Sequence, residues 1–225
     1  LTYAIPIRLK VPGLLLAALC ALVAVSGTAR AKELTFEEVF NTKGEPRALH
    51  FTGVYANQGG EHTLEVWRDG DRRLKRLTDG TVETYVFRKQ GSAEFQMSVV
   101  DQKKKIHTRV DRSNLYRLGS FVDWFDLAHV VRHPVGAYKV AKAAPAADAP
   151  KGGRECQWYA LARKDGTTRI CWSAPLGLPV VIQGGDGKIL WKLTRAESKP
   201  ISPKIYEIHD AGFVRNDANE DISGD

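Results

Sequence analysis

Turn signals recur along residues 57–104 at a spacing that suits short strands. Asn57-Gln58-Gly59-Gly60, Asp69-Gly70, Asp79-Gly80, Gln90-Gly91-Ser92 and a polar turn from Asp101 to Lys104 divide 49–110 into short runs rich in β-branched and aromatic residues. Asp-Gly and Gly-Gly pairs accept the positive φ of tight turns, and runs joined so closely pair antiparallel. The pattern predicts strands near 49–56, 62–68, 72–77, 82–88, 93–100 and 105–110. Phe95, Met97 and Val99 alternate onto one face, and Leu64 and Val66 do the same.

Helical signals bracket this meander. Thr35 and Glu38 form a capping box ahead of Phe36, Val39 and Phe40, and Gly44 and Pro46 stop that short helix. A second helix is expected over 120–132, capped by Ser120. Phe121, Trp124, Phe125, Ala128 and Val131 supply its apolar stripe, and Pro134 ends it. AKAAPAADAPKGG (141–153) is too poor in large apolar residues to build a core and reads as a mobile insertion. Four more strands are expected near 156–163, 168–173, 178–183 and 188–194, then a short one at 204–208 and a frayed tail over 216–225. About ten strands and two helices make an α+β, mainly β, chain. Its curved antiparallel sheet must curl into an incomplete β-barrel to protect its edges, with a short N-terminal helix and an aromatic plug or lid helix.

The first residues read as an export signal. Arg8 and Lys10 precede the apolar run Leu14–Val25, and Ala29-Arg30-Ala31 is an A-x-A cleavage site. The run is too short to span a bilayer. Cleavage after Ala31 removes three basic residues and no acids, so the formal charge falls from +7 to +4 and 194 of the 225 residues remain. That charge is too mild to argue for nucleic acid. Cys156 and Cys171 are then the only cysteines, an even pair in an oxidising compartment, which reads as a disulfide. A turn centred on Asp165-Gly166 would set Ala160 opposite Cys171, too far from Cys156 for a direct bridge across a regular hairpin. Either the hairpin is bulged, or Cys156 precedes the strand and the chain folds back.

Three stretches carry a resemblance. FTGVYANQGGEHTLEVWRDGDRRLKRLTDG, RICWSAPLGLPVVIQGGDGKILWKL and KIYEIHDAGFV are similar to the first hairpins, late hairpin and terminal strand of the periplasmic lipoprotein-carrier superfamily, LolA-like and LolB-like, with the regulator RseB. The likeness spans most of 34–215 but is one of pattern, and no ligand-binding residue transfers position by position. It implies a half-barrel domain over 32–215 whose concave face holds the acyl chains of lipoproteins, with no chemistry needed beyond burial at about 0.8 kcal/mol per CH₂.

Enzymatic motifs are missing from the sequence: no H-E-x-x-H, G-x-S-x-G, P-loop or Rossmann fingerprint occurs. His129 and His133, spaced i, i+4, read as exposed helix-end histidines. The basic runs Arg72–Arg76 and Lys103–Lys105 read as solvated charge that also guards against edge pairing, with contact to anionic headgroups as the sharper alternative. The expectation is a non-enzymatic periplasmic protein, without cofactor or metal, that binds lipoprotein acyl chains or another lipid. The lining would be Leu64, Val66, Phe95, Met97, Val99, Phe121, Trp124 and Phe125. The alternative is an RseB-like regulatory or assembly module bound to another envelope protein, and a hydrolase ranks third.

Overall fold

Strand and turn follow the punctuation closely. In the computed structural model, which describes residues 33–117, 123–145 and 155–223, the first six strands are β1 (Ala48–Asn57), β2 (Gly60–Asp69), β3 (Arg73–Thr78), β4 (Val82–Arg88), β5 (Phe95–Asp101) and β6 (Ile106–Asp111). Each pairs antiparallel with the next. Asp79 and Gly80 both take left-handed φ, 51° and 64°, as an Asp-Gly turn requires. Ahead of the meander, α1 (Phe36–Val39) carries the expected capping box, with Thr35 and Glu38 each bonding the other's backbone N–H.

Two short helices, α2 (Arg112–Arg117) and α3 (Trp124–His129), lead into the second half. There β7 (Tyr138–Lys142), β8 (Gln157–Arg163), β9 (Gly166–Ser173), β10 (Leu178–Gln183) and β11 (Ile189–Glu197) form another antiparallel meander, and β11 returns to pair with β1. The chain then makes a 3-10 turn at Pro203–Tyr206 and ends in β12 (Val214–Asp217) and α4 (Ala218–Ser223). β12 lies parallel to β6, so the segment between β11 and β12 crosses from the middle of the sheet to its edge. One mainly β, curved and unclosed sheet of twelve strands results, in the order β12-β6-β5-β4-β3-β2-β1-β11-β10-β9-β8-β7.

Several expectations are corrected. Asp123, not Ser120, caps α3, its carboxylate accepting from the Phe125 N–H at 2.7 Å; Ser120 lies outside the described residues. β7 occupies the start of the supposed insertion, whose residues 146–153 lie outside the described residues, as does the expected signal at 1–31. The strand foreseen at 204–208 is a 3-10 turn, since Pro203 has no N–H to give a sheet and suits the first position of a helical turn. The tail is not frayed through 223: the Asn219 side chain accepts from the Asp111 N–H and from Asn114, both at 2.8 Å, and holds α4 against β6 and α2.

The cysteines form a disulfide with Cα atoms 5.4 Å apart. Arg163 pairs with Gly166, so the turn is centred on Lys164-Asp165 and Trp158, not Ala160, stands opposite Cys171. Cys156 precedes β8, the second of the two geometries foreseen, and that shorter offset lets the bridge close.

Register alternation divides the sheet. On the inner face Leu49, Phe51, Leu64, Val66, Leu74, Val86, Met97 and Val110 are all at least nine-tenths buried in one cluster with Trp191 and Leu193. The second half shares a cluster with α1, where Phe40 meets Trp172 edge-on at 5.4 Å and Tyr159 at 5.9 Å. The sheet is drawn tight at Gly53, where β1 shifts register against β11. A Cβ there would lie 2.2 Å from the Trp191 ring and 2.8 Å from the Lys192 carbonyl oxygen. Trp191 cannot retreat, because its indole N–H donates to the Pro179 carbonyl at 2.9 Å and 99% of its surface is covered.

Two outcomes are expected. Gly53→Ala should cost about 1–3 kcal/mol in urea unfolding, the range for overpacking a filled core. Replacing Cys156 and Cys171 by Ser should cost about 3 kcal/mol, given the loop length, with the hairpin's strand content retained by circular dichroism.

Candidate functional site

Helix α3 lies on the inner face of the sheet. Trp124, Leu127 and Ala128 join the apolar cluster of β1 to β6, while Phe125 turns toward the cluster around α1. Trp124 sits under the Arg88 guanidinium, 4.4 Å from its ring centroid. Phe125 meets Phe36 edge-on at 5.8 Å and stacks on His129 at 4.3 Å. The helix ends abruptly at Val130, whose φ of 66° is a left-handed conformation that a β-branched residue adopts only under constraint.

The residues foreseen as lining gather around this helix. Leu64, Val66, Phe95, Met97 and Trp124 belong to the one cluster and Val99 packs against it. Phe125 borders the second, and Phe121 lies outside the described residues. They form a floor already covered: Val66 exposes none of its surface and Leu64 2%.

What the apolar pattern did not foretell is how α3 is held. Two inner-face arginines reach its last carbonyls. Arg76 of β3 donates to the Leu127 carbonyl at 3.1 Å, and Arg68 of β2 to the Ala128 carbonyl at 3.3 Å. Arg68 is fully buried; it also donates to the Leu176 carbonyl at 3.3 Å and pairs with Glu45 at 3.1 Å. The same Glu45 oxygen lies 2.8 Å from His129 Nε2, and His129 Nδ1 lies 3.0 Å from the Phe125 carbonyl. The β9–β10 loop closes over this carboxylate, leaving no room at Gly177, where a Cβ would stand 2.4 Å from the Glu45 oxygen.

Burial dominates the electrostatics here. It pushes the Arg68 pKa down against the pull of Glu45, and lowers Arg76 to about 10. His129 is also held below the ordinary histidine range, by burial first, with Glu45 opposing and the Arg68 charge reinforcing.

Two readings of charge are therefore corrected. His129 is not an exposed helix-end histidine but 2% exposed, because the helix turns it inward onto Glu45; His133 remains at the surface side, bonded to Asp126 at 3.0 Å. The Arg72–Arg76 run does not guard an edge, since β3 is an interior strand. Its Lys75 lies on the opposite face, paired with Glu83 at 2.8 Å, and its Arg76 lies under α3. Arg68 and Arg76 had one sequence signal: each continues an apolar alternation, Leu64-Val66-Arg68 and Leu74-Arg76, as an inward-pointing charge.

No family model matches the chain, and a comparison with curated proteins finds no match either. The structure itself defines a class: an unclosed, curved antiparallel sheet whose inner face is covered by a short helix latched through buried polar groups. The disulfide points to an oxidising, extracytoplasmic compartment. No helix among the described residues is long and apolar enough to cross a membrane, and no cluster of three or more His, Cys, Asp or Glu among them is placed to hold a metal.

The buried pair yields an asymmetric prediction. Glu45→Ala strands the Arg68 charge in the core and should cost about 3–5 kcal/mol. Arg68→Met should cost clearly less, because the methionine stem fills the channel and the one-fifth-exposed Glu45 can rehydrate. Urea unfolding of both variants measures the difference, and equal losses would contradict the burial argument.

Proposed function

We propose that the chain is an exported, periplasmic, non-enzymatic binding protein that takes an acyl chain, of a lipoprotein or a free lipid, onto the inner face of the sheet beneath α3. The observation that carries this reading is the lid itself. A six-residue helix covers an apolar floor, and buried arginines of that floor hold it by its terminal carbonyls. Bonds from a charged guanidinium contribute about 1.5–3 kcal/mol net each, so a helix held by two of them is fixed in place yet can be released. An alkyl ligand entering beneath it would gain about 0.8 kcal/mol per methylene buried. The sheet's unclosed edges at β7 and β12 support the second reading, a regulatory or assembly module that pairs with another envelope protein.

Native mass spectrometry of protein extracted from the periplasm tests the choice. Copurifying acyl species, and binding of a fluorescent long-chain fatty acid, are expected for the carrier. Val99→Asp, at a half-buried position of the floor, should weaken that binding at least tenfold with the unfolding transition preserved. A chain empty of lipid, indifferent to the probe and bound one-to-one to a protein would overturn the carrier reading in favour of the module.

A further inference from the structure

We infer that Glu45, Arg68 and His129 form a proton-operated latch on α3, closed at neutral pH and released by acid. The inference deepens the carrier reading by supplying a control on its lid, but its geometry stands independently. The three groups come from three separate segments: Glu45 from the stretch between α1 and β1, Arg68 from β2, and His129 from the last turn of α3. One carboxylate oxygen serves both partners, at 3.1 Å from Arg68 and 2.8 Å from His129.

Charge counting gives the direction. Arg68 and Glu45 neutralise each other, so a neutral imidazole leaves these three groups without net charge, and Arg76 at the Leu127 carbonyl already brings a further, partly buried cation to the end of α3. A protonated His129 would add an uncompensated positive charge beside the fully buried Arg68. The β9–β10 loop brings only backbone to the cluster, the Leu176 carbonyl and Gly177, and so offers no further acid. On the exit of α3, His133 is occupied with Asp126 at 3.0 Å and Asp123 at 3.5 Å, so those carboxylates are already engaged. The remaining acceptor, the Phe125 carbonyl 3.0 Å from Nδ1, can take the second N–H but brings no negative charge.

The sign follows. Once α3 lifts, His129 meets water and titrates near its ordinary value of about 6.5. In the closed state burial and Arg68 hold it lower. The latch is therefore at full strength above pH ~6.5 and loses strength as the pH falls from there through the closed-state value, because the open state binds the proton better. The strained Val130 directly after His129 marks the hinge: φ 66° can relax once the helix is free.

Hydrogen–deuterium exchange of the intact protein, corrected for intrinsic rates, reads the latch. Exchange across 124–131 should rise between pH 7.5 and 5.5 relative to β2, by up to about tenfold per pH unit, the limit for one proton. His129→Gln should flatten that dependence and His133→Gln should leave it. A wild-type lid with the same pH profile as His129→Gln overturns the latch. Should His129→Gln fail to fold, NMR titration of the wild-type His129 imidazole decides alone: a pKa below 6.5 is expected, and one at or above it overturns the inference. A pH-dependent lid without fatty-acid binding would leave the latch standing and sink the carrier; binding beneath a pH-indifferent lid would do the reverse.

Discussion

The burial of one guanidinium organises this molecule. Arg68 stands at the end of an alternation that should place an aliphatic side chain on the floor of the sheet, and none of its surface reaches water. A charge so placed is tolerable only when its hydrogen-bonding capacity is met and a counter-charge lies against it. The chain meets that demand from three distant points: the Glu45 carboxylate, the Ala128 carbonyl at the end of α3 and the Leu176 carbonyl in the β9–β10 loop. Those segments have little else in common, since they belong to the N-terminal approach, the mid-chain helix and the second meander. Of the three Arg68 guanidinium nitrogens, Nε is the one without a partner among the described residues. One residue thus fixes the relative positions of α1's exit, α3 and the second half of the sheet.

An unclosed sheet has two edges, and segments outside the two meanders lie along them here. Leu34 makes a single bridge to Val140 on β7, the last strand on one side. At the other side β12 covers β6, after the chain has crossed the outer face of the first meander. Ion pairs and rings hold that crossing down. Arg73 lies 4.8 Å over the Tyr206 ring, His107 and Arg215 converge on Asp210 at 2.7 and 2.9 Å, and Lys105 covers Phe213 at 4.6 Å. With two partners, the Asp210 carboxyl is held down at about 2, so acidification dissolves this outer strap only well below the range in which His129 responds.

The parts of the fold that were legible are those governed by neighbours in sequence. Thr35 to Glu38, the hairpin turns and the alternation in β2 and β5 each specify their structure within a few residues, and they appear where local chemistry puts them. The errors lie where distant contacts decide. Lys164-Asp165 rather than Asp165-Gly166 makes the turn, because pairing along the whole of β8 and β9 sets the register. Residues 203–206 and 218–223 have weak local signals, and packing against β3, β6 and α2 supplies their order. His129 was misread for the same reason. The i, i+4 spacing implies one continuous helix, whereas α3 stops at His129, which is turned inward against Glu45, 84 residues away in sequence, and His133 lies beyond the helix end.

The proposed ligand beneath α3 has to be compatible with a filled interior. Releasing the helix exposes chiefly Trp124 and Leu127, at about 1.5–3 kcal/mol for each large apolar side chain. It also breaks the bonds from the charged arginines to the Leu127 and Ala128 carbonyls, at about 1.5–3 kcal/mol net apiece. The total is about 6–12 kcal/mol, and an acyl chain of about ten methylenes buried in exchange would return about 8 kcal/mol. For such a ligand, opening and filling would be nearly balanced. A lid held by apolar packing over a wider area would stay shut against such a ligand, and one without the arginines would lose up to about half of what holds it closed. Near balance is the condition under which a single buried titration, worth about 1.4 kcal/mol per pH unit at most, can decide which state prevails.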